Sequence, residues 1–191
     1  MRRAASGSWR SFRPATAAQA ARVVLAPECR ILGLDPGSLR TGFGLIDCHA
    51  NGERHVASGC IAVGGADLMV RLRRIFEAVA ALVAEHRPDE IAVERVFVHR
   101  NPDSALKLGQ ARGAALCAAL AHSAAAHEYA PRAIKLAVSG YGAAEKNQVA
   151  QMVCVLLQLT TQPGPDAADA LAVALCHAQT RRLASIVGAR A

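Results

Sequence analysis

The chain has 191 residues, 52% of them hydrophobic and 19% charged, and carries a formal net charge of +7. That length suits one domain with its own core, and that apolar content excludes a disordered chain. No apolar run reaches the ~18–20 residues of a membrane helix; the longest candidate, Gly113 to Ala126, is short and broken by His122. A soluble protein without a membrane partner is expected.

Residues 1–28 read differently from the rest. They hold five arginines and one acid, a local +4 that leaves only +3 for the remainder. Rich in Arg, Ala and Ser, and without the layout of a secretory signal, this stretch is set aside as an N-terminal extension: a transit peptide or the product of a start placed upstream. The remaining basic balance is compatible with a polyanionic partner and too small to identify one. Six cysteines show no C-x-x-C pair and no ligand-like spacing with the seven histidines, which argues against zinc. Cys117, Cys154 and Cys176 fall in helical apolar patterns and read as reduced, buried thiols of a cytoplasmic protein.

From Arg30 the elements follow in order. Arg30–Asp35 is a short apolar strand ended by the Pro36-Gly37 turn, Thr41–Asp47 a second and Glu53–Val63 a third, together an antiparallel meander. Leu68, Leu72, Ile75, Val79 and Leu82 recur at helical spacing over Asp67–His86. Glu90–Glu94 is a compact strand. Ser104–Ser123 is a helix dense in small residues, with Gly109 and Gly113 one turn apart. His127–Ala130 is a last short strand before Pro131. Glu145–Leu159, with Val149, Met152, Val153, Leu156 and Leu157 on one face, and Pro165–Arg181 are the closing helices. A meander followed by strand–helix crossovers predicts an α/β fold, a mixed sheet of four or five strands flanked by helices. Residues 29–182 form this domain, and 183–191 are expected as a tail.

The acids at element ends are the candidate chemistry. Asp35 closes the first strand; a turn-initiating Asp is the ordinary alternative. Glu94 ends an apolar strand, where it either pairs with Arg95 or serves a purpose that offsets its burial. Asp166 and Asp169 stand three apart at a helix start, on one face, where capping and dipole complementation also account for acids. Jointly, four carboxylates from three elements suit hard cations such as Mg²⁺. Two such ions would serve phosphodiester hydrolysis.

At these residues the chain resembles the RuvC family of crossover junction endodeoxyribonucleases, from about Arg30 to His177. The matching stretches are I-L-G-L-D-P-G-S at 31–38, V-E-R-V-F at 93–97, D-S-A-L-K-L-G-Q-A-R-G at 103–113, A-E-K-N-Q-V at 144–149 and D-A-A-D-A-L-A at 166–172. The resemblance implies a ribonuclease-H-like, five-stranded fold, a homodimer, and symmetric paired nicks that resolve a four-way DNA junction. It implies that Asp35, Glu94, Asp166 and Asp169 are catalytic metal ligands for two Mg²⁺ ions, which Mn²⁺ replaces. Some members carry His at the first position of the last pair, where this chain has Asp166. Lys135 and Lys146 match functionally important lysines and are assigned both catalytic and DNA-binding roles, and Phe97 matches an aromatic near the junction-binding cleft and is assigned to DNA. Partnership with the branch-migration proteins RuvA and RuvB is likewise implied.

Residue chemistry adds to this. A lysine beside a scissile phosphate stabilises developing charge. Lys146 near a helix start opposes the dipole, so a local anionic partner is expected. Phe97 suits either the core or stacking on an unpaired base. The small residues of the 104–123 helix permit close approach of a second helix, or packing on the chain's own sheet. Ala143, where many relatives carry Ser, cannot cap the following helix, a loss of ~0.5–2 kcal/mol. The rival readings are a YqgF-type nuclease acting on RNA, an ATP-binding protein of the actin and hexokinase type, and a non-catalytic junction-binding module. The 103–113 stretch, the single lobe and the intact acids, respectively, argue against them.

Overall fold

The computed structural model describes residues 28–65, 67–95, 102–121 and 125–188. Phe97 and nearly all of the N-terminal extension lie outside the described residues. Three strands, β1 (Cys29–Asp35), β2 (Arg40–His49) and β3 (Gly52–Ala62), precede α1 (Leu68–His86), β4 (Glu90–Glu94), α2 (Pro102–Leu120) and β5 (Ala126–Tyr129). Then come α3 (Pro131–Ser139), α4 (Lys146–Leu156) and α5 (Pro165–Gly188). The sheet order is β3-β2-β1-β4-β5. The β1–β2–β3 meander is antiparallel, and β4 and β5 add in parallel, giving the mixed five-stranded sheet that the element order predicts. Between Leu45 and Ile46 the β2–β3 register slips, which leaves Val56 as a bulged residue.

Side-chain alternation along the strands separates two cores. Leu32, Leu34, Leu45, Ile91 and Val93 pack under α1 and α2 with Ile75, Val79, Ala111 and Ala115. Ile31, Ile46 and Ala92 face the other way, toward Ile134, Val138, Val149, Val153 and the length of α5. By the same alternation Asp35, Glu90, Glu94, His127 and Tyr129 share the α5 face. Every residue from Ala170 to Ala178 on α5 is buried. Such a helix must be enclosed on all sides, here by the sheet beneath and by α3 and α4 beside it.

The approach of α5 to the sheet is closer than an ordinary side chain permits. A Cβ placed on Gly33 would lie 2.1 Å from the Ala170 carbonyl oxygen, and one on Gly42 would lie 2.0 Å from that of Asp166. One on Gly44 would meet Leu171 Cγ at 2.7 Å. Gly33 and Gly44 are register partners, as are Asp35 and Gly42, so the glycines form a bare track that seats the helix directly beside Asp35.

Several sequence expectations shift. Helix α3 was not foreseen: Pro131 sits at its first turn, and Ile134 and Val138, one turn apart, bury its inner face. Helix α5 runs past Arg181 to Gly188, so most of the expected tail is helical. No breaker interrupts Arg182–Val187, and Arg182 is tied to Glu53 on β3 at 3.0 Å. Helix α2 begins at Pro102, and Cys117 on it is exposed, because the alanines Ala111, Ala115, Ala118 and Ala119 fill its buried face. On α1 the inward residue of the last turn is Val83, not Leu82. The α4 cap is Glu145, whose N–H donates to Gln148 Oε1 at 2.9 Å, so Ala143 leaves no gap to fill. Among the described residues no helix is long and apolar enough to cross a membrane.

Replacing Gly33 by Ala is expected to destabilise the fold by ~2–3 kcal/mol, because the obstacle is backbone of a packed helix. Gly64→Ala, at a site with nothing within 4 Å among the described residues, is expected to stay within ~0.5 kcal/mol of wild type. Urea unfolding of both variants checks this.

Candidate active site

Adjacent parallel strands pair Leu34 with Val93, so the next residues, Asp35 and Glu94, leave the sheet side by side at its carboxyl-end edge. Helix α5 brings Asp169 to the same place, while α3 and α4 supply Lys135 and Lys146. All five line a cavity of about 190 Å³ whose walls include Ile134, Val149 and Ala172. A larger surface hollow of about 570 Å³, around Arg30, Asp47 and Asp89, contains none of these residues.

The cavity concentrates negative charge. Burial first, then Asp169 and Asp166, push the Asp35 carboxyl up to about 6 against the pull of Lys146. Burial, then Asp35 and Asp169, push Glu94 up to about 7 against Lys146 and Lys135. Lys146 Nζ donates to Asp169 Oδ2 at 2.8 Å, and this hydrogen bond holds the ammonium in its charged form. The opposed helix dipole is thereby answered, as the position of Lys146 at the α4 start predicts.

Asp166 is placed differently. It sits one turn before Asp169 but does not line the cavity; Arg40 Nε donates to its Oδ2 at 2.7 Å. Burial raises its pKa, yet hydrogen bonds from Cys60 and Arg40 and the Arg40 charge together bring it below the usual carboxylate range. The expected four-fold convergence is thus three carboxylates at one cavity and a fourth held beside them by an arginine. Arg95, weighed as a partner for Glu94, turns instead to Glu128 at 3.7 Å.

Two arginines escaped sequence reasoning. Arg40 is one. The other is Arg112 of α2, whose Nη1 donates to the Glu94 carbonyl at 2.8 Å while Nη2 pairs with Glu128; it braces the end of β4 from the opposite face of the sheet. Only Arg112 carried a signal, as a charged residue in an otherwise small and apolar helix segment.

Asp35, Glu94 and Asp169 offer oxygen donors alone, and their charge exceeds what two lysines balance. That donor set fits a hard divalent cation and not a thiolate- or imidazole-seeking one. A mixed five-stranded sheet with an acidic pocket at the carboxyl ends of its central strands defines a metal-dependent nuclease of ribonuclease-H-like fold. The family model described as crossover junction endodeoxyribonuclease RuvC matches residues 31–177. The chain is 54% identical over 159 residues to the crossover junction endodeoxyribonuclease RuvC of Methylococcus capsulatus, covering 82% of this chain and 94% of that one. It is 55% identical over 148 residues to that of Marinobacter nauticus, covering 78% and 85%. Thermus thermophilus RuvC, solved in complex with a Holliday junction substrate, superposes with a TM-score of 0.76 at 34% identity, covering 82% of this chain and 97% of that one. The chain belongs to the RuvC family and is a nuclease.

The raised carboxyls have a consequence for stability. An acid whose folded pKa exceeds its unfolded value near 4 binds more protons when folded, so its own contribution to the stability of the metal-free protein is greatest below that pH. That contribution is lost as pH rises through about 6 for Asp35 and about 7 for Glu94. In EDTA, Glu94→Gln is expected to be more stable than wild type by roughly 1–3 kcal/mol at pH 8, at ~1.4 kcal/mol per pKa unit, and no different near pH 4. Denaturant titration at the two pH values measures this; a gain of equal size at both would count against the electrostatic origin.

Proposed function

We propose that this protein resolves Holliday junctions by symmetric paired nicks, using Mg²⁺ ions held by Asp35, Glu94 and Asp169, with Asp166 joining them when Arg40 lets it go. The observation that carries this reading is the convergence of three carboxylates from β1, β4 and α5 on one cavity, two of them with strongly raised pKa values. The T. thermophilus relative's junction complex supports the substrate.

Two bound Mg²⁺ ions, or Mn²⁺ in their place, would supply an activated water and charge stabilisation at the leaving oxygen. The chain's own residues do the rest. Asp35 and Glu94, side by side on paired strands, fix the separation of the oxygen donors. Lys146, whose side chain is mostly exposed, would exchange its contact with Asp169 for a phosphate oxygen. Lys135, on the cavity wall, presents a second positive charge to the backbone being cut. Phe97 follows β4 closely in sequence, and its assignment is stacking on a base at the branch point.

Symmetric cutting needs two sites related by a two-fold axis, hence a homodimer. Helix α2 supports one: Leu106, Gly109, Gly113, Cys117 and Leu120 follow a spacing of three or four residues along one face. Leu106 is 63% and Leu120 48% exposed, and among the described residues a Cβ on either glycine would meet nothing within 4 Å. These glycines therefore do not serve packing on the chain's own sheet. Delivery of the junction by RuvA and RuvB, in the cytoplasm, completes the proposed setting.

Asp35→Asn is expected to bind a synthetic four-way junction with near-wild-type affinity and to lose nicking in Mg²⁺ by more than the ~100-fold typical of outer-shell metal partners. Undiminished cutting by this variant would remove Asp35 from the mechanism. Arg40→Ala, by freeing Asp166, is expected to lower the Mn²⁺ concentration at half-saturation in a calorimetric titration. An unchanged or higher midpoint would mean that Asp166 is no ligand.

A further inference from the structure

At the opposite end of β4 from Glu94 lies a second constellation that the nuclease chemistry does not use. Glu90 precedes Glu94 by four residues on the same face, ~13 Å away along the strand. His177 follows Asp169 by eight residues on α5, ~12 Å along the helix axis. His127 on β5 completes the group. One ligand atom from each of Glu90, His127 and His177 lies within 4.8 Å of the others.

The three residues are held as metal ligands are held. His177, 2% exposed, has its Nε2 against Glu90 Oε2 and its Nδ1 2.6 Å from the Tyr129 hydroxyl. Arg181 Nε donates to the other Glu90 oxygen at 3.0 Å, which fixes the carboxylate and leaves Oε2 to face the imidazoles. His127 Nε2 stands 3.9 Å from that same Oε2, and its ring stacks on His177 with centroids 4.4 Å apart. At 44% exposure His127 is the open side of the cluster; it can tilt, and solvent or an ion can enter past it.

From this geometry we infer a second metal site, in which Glu90, His127 and His177 bind a borderline divalent cation, Zn²⁺ foremost, separate from the carboxylate cavity. Two imidazole nitrogens and one carboxylate oxygen with an open fourth position are a donor set for zinc and a poor one for Mg²⁺. Binding through Nε2 requires the Nδ1–H tautomer of His177, which then donates to the Tyr129 oxygen, the outer-shell contact that metal-bound histidines make. In the metal-free protein the Glu90 contact takes the place of the ion, and the two atoms need only open to the ~3.3 Å that separates two donors on a tetrahedral zinc. The site joins β4, β5 and α5, so an ion there clamps the helix to the sheet at the end remote from catalysis.

Calorimetric titration of the full chain with Zn²⁺ in millimolar Mg²⁺ tests the site. One Zn²⁺ per chain is expected, undisplaced by Mg²⁺, with a rise in Tm from preferential binding to the folded state. Asp35→Asn should retain it. His127→Ala should weaken it at least tenfold while keeping the circular dichroism and the Mg²⁺-dependent nicking of wild type, and Tyr129→Phe should weaken it by ~10–100-fold. Zinc binding lost in Asp35→Asn and kept in His127→Ala would place the ion in the carboxylate cavity and overturn the inference. So would absence of saturable binding in wild type.

Discussion

The contact between α5 and the bare glycine track of β1 and β2 is the constraint on which the rest of the structure depends. The helix backbone lies directly against the sheet at Gly33 and Gly42, and the Leu171 side chain fills the space over Gly44. Its alanines keep the other sides slim enough for α3 and α4 to close over it. Any ordinary side chain on the track would lift the helix. Asp169 would then leave Asp35 and Glu94, and His177 would leave Glu90. The active site is therefore a consequence of backbone-to-backbone packing before it is a matter of carboxylates.

Once that packing is fixed, electrostatics sets the state of the site. Three carboxylates share one small cavity, and two of them respond by moving toward neutrality. Lys146 and Lys135 reduce this repulsion without abolishing it. Arg40 keeps a fourth carboxylate ionised but occupied. Of these cations, the two in direct ion pairs, Lys146 and Arg40, have side chains 79% and 61% exposed. Ion pairs to exposed cations contribute little, so their partners are released at small cost. Cations that hold acids in place yet surrender them readily suit a site that must be assembled and then filled.

Much of this was legible in the residues. The succession of strands along the chain, the mixed sheet and the strand-end positions of Asp35 and Glu94 follow from apolar runs and turn signals, because strand ends are marked by Pro-Gly and by charge. Helix α3 was not legible, since nine residues with two inward apolar positions give too little periodicity. Nor was the pairing of Arg40 with Asp166, 126 residues apart, which depends on where α5 lands. Cys117 read as buried because its helix is apolar on both sides, and alanine alone does not say which side faces the core. Cysteine and histidine spacing along the chain has the same blind spot: Glu90, His127 and His177 come from three elements and show no local motif.

Strand β4 presents Glu94 at one end and Glu90 at the other, on one face, and α5 answers with Asp169 and His177. The donors differ in kind: oxygens alone at the first, imidazoles around one carboxylate at the second. Under the proposed assignments a hard cation and a borderline one sort to opposite ends of the same strand–helix pair. Because one helix carries both Asp169 and His177, restraint at the His177 end limits how far Asp169 can drift. The burial of every intervening residue from Ala170 to Cys176 makes the helix between them a strut and not a hinge.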